Sequence, residues 1–242
     1  MRQFETLAAK PIPAINAPAG WKEVTIRECR ESLLALSTLK DTRVLIEPEY
    51  FQKGIPGATE EVYARESVAQ KLVFAASQLP VGYYLLVWDA WRPLSVQQAL
   101  FDGQCQVLQE QFLTLSEEEV RRQAETYVSI PSDHILHPSP HYTGGAVDLT
   151  LADAHGHPLP MGIEFDAFTL LSRTRFLEDL IEKGEYLNEE EQLALYNRRV
   201  LYHTMIASGF TNYWEEWWHF DYGNQFWAAV SSNTALYGPI EP

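Results

Sequence analysis

Three short segments of this 242-residue chain carry residue types that could do chemistry together. In Ser139-Pro-His-Tyr-Thr-Gly-Gly-Ala-Val-Asp148 a histidine stands seven residues before an aspartate. Gly144 and Gly145 between them permit a tight backbone path. Asp148 opens the apolar run LTL, and an acid in a buried strand is costly unless it is paired or bound to a metal. Imidazole and carboxylate oxygen both suit zinc; a His–Asp hydrogen bond in a loop is the simpler alternative. In Trp214-Glu-Glu-Trp-Trp-His219, Glu216 and His219 are three apart. His219 can supply a third metal ligand, and Glu216 a base for metal-activated water. An aromatic strand with outward polar residues is the alternative there. The tryptophans are expected to wall a cleft and keep water out. HExxH is absent, which excludes a helical zinc protease. In Asp89-Ala-Trp-Arg-Pro93, the proline holds the residue before it extended. The planar fork of Arg92 can stabilise an oxyanion or grip a carboxylate, or simply pair with Asp89. His134, His137, His155, His157 and His203 stand in turns or a helical pattern and read as structural or solvated.

Those segments need elements to hold them. Residues 83–88, YYLLVW, form a continuous apolar run of strand length and read as a buried central strand. Residues 44–46 and 147–151 are also strand-like, and residues 210–222 read as extended. Helical patterning predicts helices over 26–39, 61–79, 94–113, 168–183 and 189–208. Pro80 ends the second, and Ser116 with Glu119 opens a further helix with a capping box. Asn188 suits the N-cap of the last, and Gly209 its C-terminal stop. The catalytic-looking stretch 129–146 is loop. With no repeat and no linker, the pattern predicts one mixed α+β domain over residues 1–242. Its first 22 residues, with prolines at 11, 13 and 18, read as an extended arm anchored by Trp21.

Composition narrows the function further. There are 18 basic and 33 acidic residues, a net charge of −15. That speaks against nucleic acid and against an anionic membrane surface as partners. Two cysteines, Cys29 and Cys105, make neither a disulfide framework nor a thiolate zinc site. No apolar run approaches the roughly 20 residues of a membrane span. The first ten residues lack the apolar core of a secretory signal, so a cytoplasmic setting is expected.

Taken together, the three segments resemble the D-alanyl-D-alanine dipeptidases, the VanX-like branch of the zinc D,D-peptidases. The family pattern S-x-H-x-x-G-x-A-x-D is met by Ser139, His141, Gly144, Ala146 and Asp148. E-x-x-H is met by Glu216 and His219, the R-P arginine by Arg92, and M-G-x-x-F-D by Met161 through Asp166. The likeness runs from about residue 44 to 228. The chain departs from it at Trp91, where tyrosine is common, and at Thr143, where arginine is frequent. The resemblance implies an α+β fold with a small, mostly antiparallel central sheet flanked by helices and a zinc site in a cleft on the sheet. It implies one zinc ion held by His141, Asp148 and His219, with Glu216 as general base and then acid. Arg92 then faces the scissile carbonyl oxygen, Asp166 the free ammonium end of the substrate, and Ser139 the substrate side. The implied reaction is hydrolysis of the small dipeptide D-Ala-D-Ala to free D-alanine. A D,D- or L,D-carboxypeptidase trimming longer peptidoglycan stems is the near alternative. A non-catalytic zinc module that binds wall peptides has no use for an acid at Glu216.

Overall fold

The computed structural model describes residues 2–16, 18–41, 43–125, 128–167 and 169–242, with residues 2–5 as backbone only. The chain opens with a helix, α1 (Arg2–Ala9), where an extended arm was expected. Residues 11–16 lie in no helix or strand, and residues 19–20 form a turn ahead of the single 3-10 turn at Trp21–Glu23. Residues 26–39 are not the predicted helix. Leu33–Ala35 form strand β1 and Leu36–Thr38 a 3-10 turn. Distant partners override the local pattern. Arg27 and Cys29 donate backbone N–H groups to the carbonyls of Ala235 and Leu236. The carboxylates of Glu28 and Glu31 are taken up by Arg65, Ser67 and Tyr237.

Val44–Ile46 is β2, and Glu49–Gln52 is one turn of helix, α2. The predicted 61–79 helix divides into β3 (Tyr63–Arg65), antiparallel to β1, and α3 (Glu66–Gln78). The apolar YLLVWD run is β4 (Tyr84–Asp89), buried beyond its first residue. Helix α4 (Leu94–Gln111) follows, and α5 (Glu117–Ala124) starts on the expected capping box of Ser116 and Glu119. All seven residues of β5 (Ala146–Ala152) are buried. The predicted 168–183 helix is a 3-10 turn at Leu170–Ser172 and a short α6 (Phe176–Glu182); residue 168 lies outside the described residues. The side chain of Arg198 captures the carbonyls of Leu171 and Arg173, which a continuous helix would have used. Helix α7 (Glu189–Ala207) has the expected Asn188 cap, and Gly209 closes it at φ +92°. The extended stretch 210–222 breaks into β6 (Thr211–Asn212) and β7 (His219–Asp221) around a turn. Asn224 caps the last helix, α8 (Gln225–Ser231).

Five strands form the main sheet in the order β2-β4-β5-β7-β6. Only the β2–β4 pair is parallel. Leu85, Val87, Leu149 and Leu151 of the sheet share one core with Val68 and Leu72 of α3 and Val200 and Met205 of α7. This is the expected α+β architecture. Among the described residues no helix is long and apolar enough to cross a membrane. Strand register brings the polar residues of the sheet together. Asp89 at the end of β4 pairs with Asp148 on β5, and Asp148 pairs with His219 on β7. Hydrogen-bonded neighbours lie about 5 Å apart, so the ladder itself lines up three polar residues across one edge of the core.

Candidate metal centre and active site

His141 joins that row from the 3-10 turn His141–Thr143, just before β5. The two glycines after it are required by space and by conformation. Gly144 sits at φ +70°, and a Cβ on Gly145 would lie 2.5 Å from the carbonyl oxygen of Tyr222. The His141 ring is fixed by its Nδ1, 2.7 Å from the carbonyl oxygen of Ala90 and 3.2 Å from Asp89 Oδ2. A carbonyl only accepts, so Nδ1 carries the proton and Nε2 presents a lone pair. His219 is turned the other way. Its Nε2 lies 3.2 Å from Asp221 Oδ2, so its Nδ1 is the inward atom.

The inward atoms converge. His141 Nε2 and His219 Nδ1 are 3.1 Å apart, His219 Nδ1 and Asp148 Oδ1 3.1 Å, and His141 Nε2 and Asp148 Oδ2 3.3 Å. Three buried electron-pair donors thus face one another, and only a proton or a cation reconciles them. A tetrahedral zinc ion with bonds of about 2.0–2.1 Å holds its donors about 3.3–3.4 Å apart. Two imidazoles and a carboxylate at this spacing fit that ion. The charges of the cluster respond to one another. Burial opposes the charge on Asp148, yet His141 and His219 hold its carboxyl far below the usual range. Burial likewise opposes a charged His219, but Asp221 and Asp148 push its pKa well above the ordinary value.

Around this cluster lies a cavity of about 560 Å³, a size typical of small-ligand sites. All the residues singled out in the sequence line it: Arg92, Ser139, His141, Asp148, Asp166, Glu216 and His219. Glu216 reaches it through a turn rather than a strand. The His219 N–H bonds the Glu216 carbonyl at 3.3 Å, and Asn212 Nδ2 donates to both carbonyls. This folding-back sets Glu216 Oε2 3.7 Å from His219 Nδ1. Burial raises the Glu216 pKa to about 8, aided by Asp148 and Asp166 and opposed by His219 and Arg92.

The Asp89–Arg92 ion pair is present, and the guanidinium meets a second carboxylate as well. Its Nε donates to Asp89 Oδ2 at 2.8 Å, and its Nη2 to Asp148 Oδ2 at 2.9 Å. Nη1 donates to Gln97 Oε1 and Nη2 also to Tyr50 Oη. These contacts use four of the five guanidinium N–H groups. Burial opposes its charge, but Tyr50, Asp89 and Asp148 keep the guanidinium protonated throughout. Asp166 sits beyond Arg92 in the left-handed region at φ +59° and hydrogen-bonds Tyr50. Burial raises its carboxyl pKa to about 6. Ser139 Oγ accepts the Ser132 N–H at 2.9 Å. The tryptophans divide their work. Trp214 and Trp218 line the cavity with Tyr213 and Phe226, whereas Trp217 packs into the core against Trp88.

Sequence reasoning missed Tyr50, Gln97 and Asp221. Nothing near Tyr50 or Gln97 marks them. Asp221 was visible in principle, because alternate residues of a strand share a face and His219-Phe-Asp221 is such a pair. The remaining histidines lie apart from the cluster. His203 bonds the Lys10 carbonyl, His157 meets Asp153, and His134 stacks on His137.

The chain is similar to several known proteins. Residues 53–235 match the Peptidase_M15 family model, described as D-ala-D-ala dipeptidase. A D-alanyl-D-alanine dipeptidase of Synechocystis sp. is 30% identical over 216 residues, covering 85% of this chain and 87% of that protein. Another from Enterococcus faecium is 31% identical, over 64% of this chain and 68% of its own. Among solved structures, VanYB in complex with D-alanine-D-alanine overlaps 73% of this chain and 82% of its own at 15% identity and a TM-score of 0.37. The LdcB LD-carboxypeptidase overlaps 93% of this chain and 90% of its own at 16% identity and a TM-score of 0.36. The match over residues 53–235, with the Synechocystis relative alongside it, makes this chain a member of the Peptidase_M15 family of D-ala-D-ala dipeptidases.

Proposed function

We propose that this chain hydrolyses the dipeptide D-Ala-D-Ala, with one water, to two molecules of D-alanine. The observation that carries the reading is the meeting of three lone-pair donors at 3.1, 3.1 and 3.3 Å. His141 through Nε2, Asp148 through its carboxylate and His219 through Nδ1 are the residues that would hold zinc. Bound there, zinc supplies a Lewis acid that acidifies water and polarises the peptide carbonyl.

The chain's own groups do the rest. Glu216 takes the proton of the attacking water and passes it to the leaving amine. Burial holds its pKa up toward about 8, and a dication bound nearby would favour the carboxylate that must start the cycle. Arg92, fixed on four sides, keeps a permanent positive charge beside the carbonyl oxygen as negative charge develops there. Asp166, also in the cavity lining, would meet the free ammonium group as a carboxylate. Ser139 lines the same cavity and contributes to seating the peptide.

Residues 1–242 act as one domain in this reading. The arm is tied down where the Ile12 N–H meets Glu178, and the tail where Trp91 Nε1 donates to the Ile240 carbonyl. A free dipeptide is a cytoplasmic substrate, and the unpaired Cys29 and Cys105 suit a reducing compartment. The test compares D-Ala-D-Ala, its N-acetylated form and a stem pentapeptide on zinc-quantified protein. Cleavage confined to the free dipeptide is expected. Equal cleavage of the blocked or longer compounds would assign a carboxypeptidase instead.

A further inference from the structure

Asp221 is 1% exposed, and its ionic partner is not a surface cation but His219. It follows His219 by two residues on β7, so the strand's alternation puts both side chains on one face. Oδ2 lies 3.2 Å from His219 Nε2, and Oδ1 accepts from Asn224 Nδ2 at 2.5 Å. Asn224 is equally buried and is itself anchored, because its Oδ1 caps α8 at the Trp227 N–H. The backbone of Asp221 is paired with Ala146 on one side and Thr211 on the other. The carboxylate therefore cannot swing away from the ring. Burying an acid beside one imidazole and one amide is a poor way to stabilise a core. The two imidazoles are also served differently. His141 rests at 2.7 Å on the neutral carbonyl of Ala90, and the nearby Asp89 is already bonded to Arg92.

We infer that Asp221 is a positioning residue for the metal. Its carboxylate holds the proton of His219 on Nε2, aims Nδ1 at the ion and makes that nitrogen a stronger donor. The inference rests on the proposed zinc site. Carboxylate partners behind metal-bound histidines commonly contribute about 10–100-fold in metal affinity.

The experiment is a zinc titration against a chromophoric chelator with wild type, Asp221→Ala, Asp221→Asn and His219→Ala. The visible spectrum of each protein loaded with Co2+ and the Tm of each metal-free protein are recorded alongside. Asp221→Ala is expected to bind zinc about 10–100-fold more weakly. Asp221→Asn, which keeps the shape and loses the charge, should fall between it and wild type. Both should shift the Co2+ bands while the metal-free Tm of Asp221→Asn stays near wild type, a pattern that a purely structural acid would not give. Wild-type zinc affinity in a folded Asp221→Asn overturns the role of Asp221, even if Asp221→Ala fails to fold. A wild type that binds no zinc, or whose affinity His219→Ala leaves unchanged, overturns the metal-site reading and this inference with it.

Discussion

Some side chains of the cleft hang from the sheet; others hang from an irregular segment held largely by side-chain contacts. Asp89, Asp148 and His219 are neighbours in the β4–β5–β7 ladder, so their spacing follows from backbone hydrogen bonds. Asp166 instead sits in the segment between Met161 and Arg173, whose described residues belong to no strand. Arg198 on α7 reaches under that segment and donates to the carbonyls of Met161, Leu171 and Arg173 at 2.7, 2.8 and 2.9 Å. It is 2% exposed, and burial lowers its pKa to about 9 with no acid to offset the loss. The metal end gets its geometry from the ladder, while the Asp166 segment is held by side chains: Arg198 on its carbonyls, Phe165 stacked on Trp88, and the Trp217 N–H on the Ser172 carbonyl. Damage at the two ends should therefore look different.

The largest effect is expected at the ladder. Asp148→Ala removes a donor and leaves the His141 and His219 nitrogens and Arg92 without their shared partner. Zinc content after dialysis should fall to background, and turnover with it. Next, Glu216→Ala leaves the three donors in place. Zinc should stay stoichiometric while kcat drops about 10²–10⁴-fold, the usual loss for a general acid–base group. A variant that turns over normally would remove Glu216 from the chemistry. Arg92→Ala touches both ends, through Asp148 and through Tyr50. At saturating zinc its kcat should fall about 10²–10³-fold, as for other lost oxyanion partners. A raised KM with kcat intact would make Arg92 a ground-state binder instead. The smallest change in turnover is expected for Arg198→Met. Zinc affinity should hold, and kcat/KM should fall about 10-fold, chiefly through KM, as the Asp166 segment shifts. A lower Tm should accompany it, because three carbonyls lose a buried donor. Lost zinc in this variant would show that the two ends are not independent.

The same contrast explains what could be read from the sequence. The ladder end was legible because its donors come in short, fixed spacings: His141 with Asp148, and Glu216 with His219. The strands that carry Asp89 and Asp148 are apolar runs, and the caps at Ser116 and Asn188 are local devices. What escaped depends on partners far away in the chain. Residues 26–39 carry a helical pattern, yet their backbone is spent on residues 235 and 236 and their acids on Arg65 and Ser67. The 168–183 stretch is interrupted because Arg198 claims its carbonyls, and nothing near Leu171 announces that. The turn at Glu216 was read as strand because aromatic residues favour strands, whereas Asn212 folds it back by holding two carbonyls. Tyr50 and Gln97 line the cavity and meet Arg92 from distant stretches of chain with no motif around them.

Anomalous diffraction at the zinc edge from crystals of the zinc-loaded protein tests the convergence of donors most directly. One peak is expected about 2.0–2.2 Å from His141 Nε2, an Asp148 carboxylate oxygen and His219 Nδ1. A peak bonded to His219 through Nε2, or lying away from these three side chains, would contradict the account.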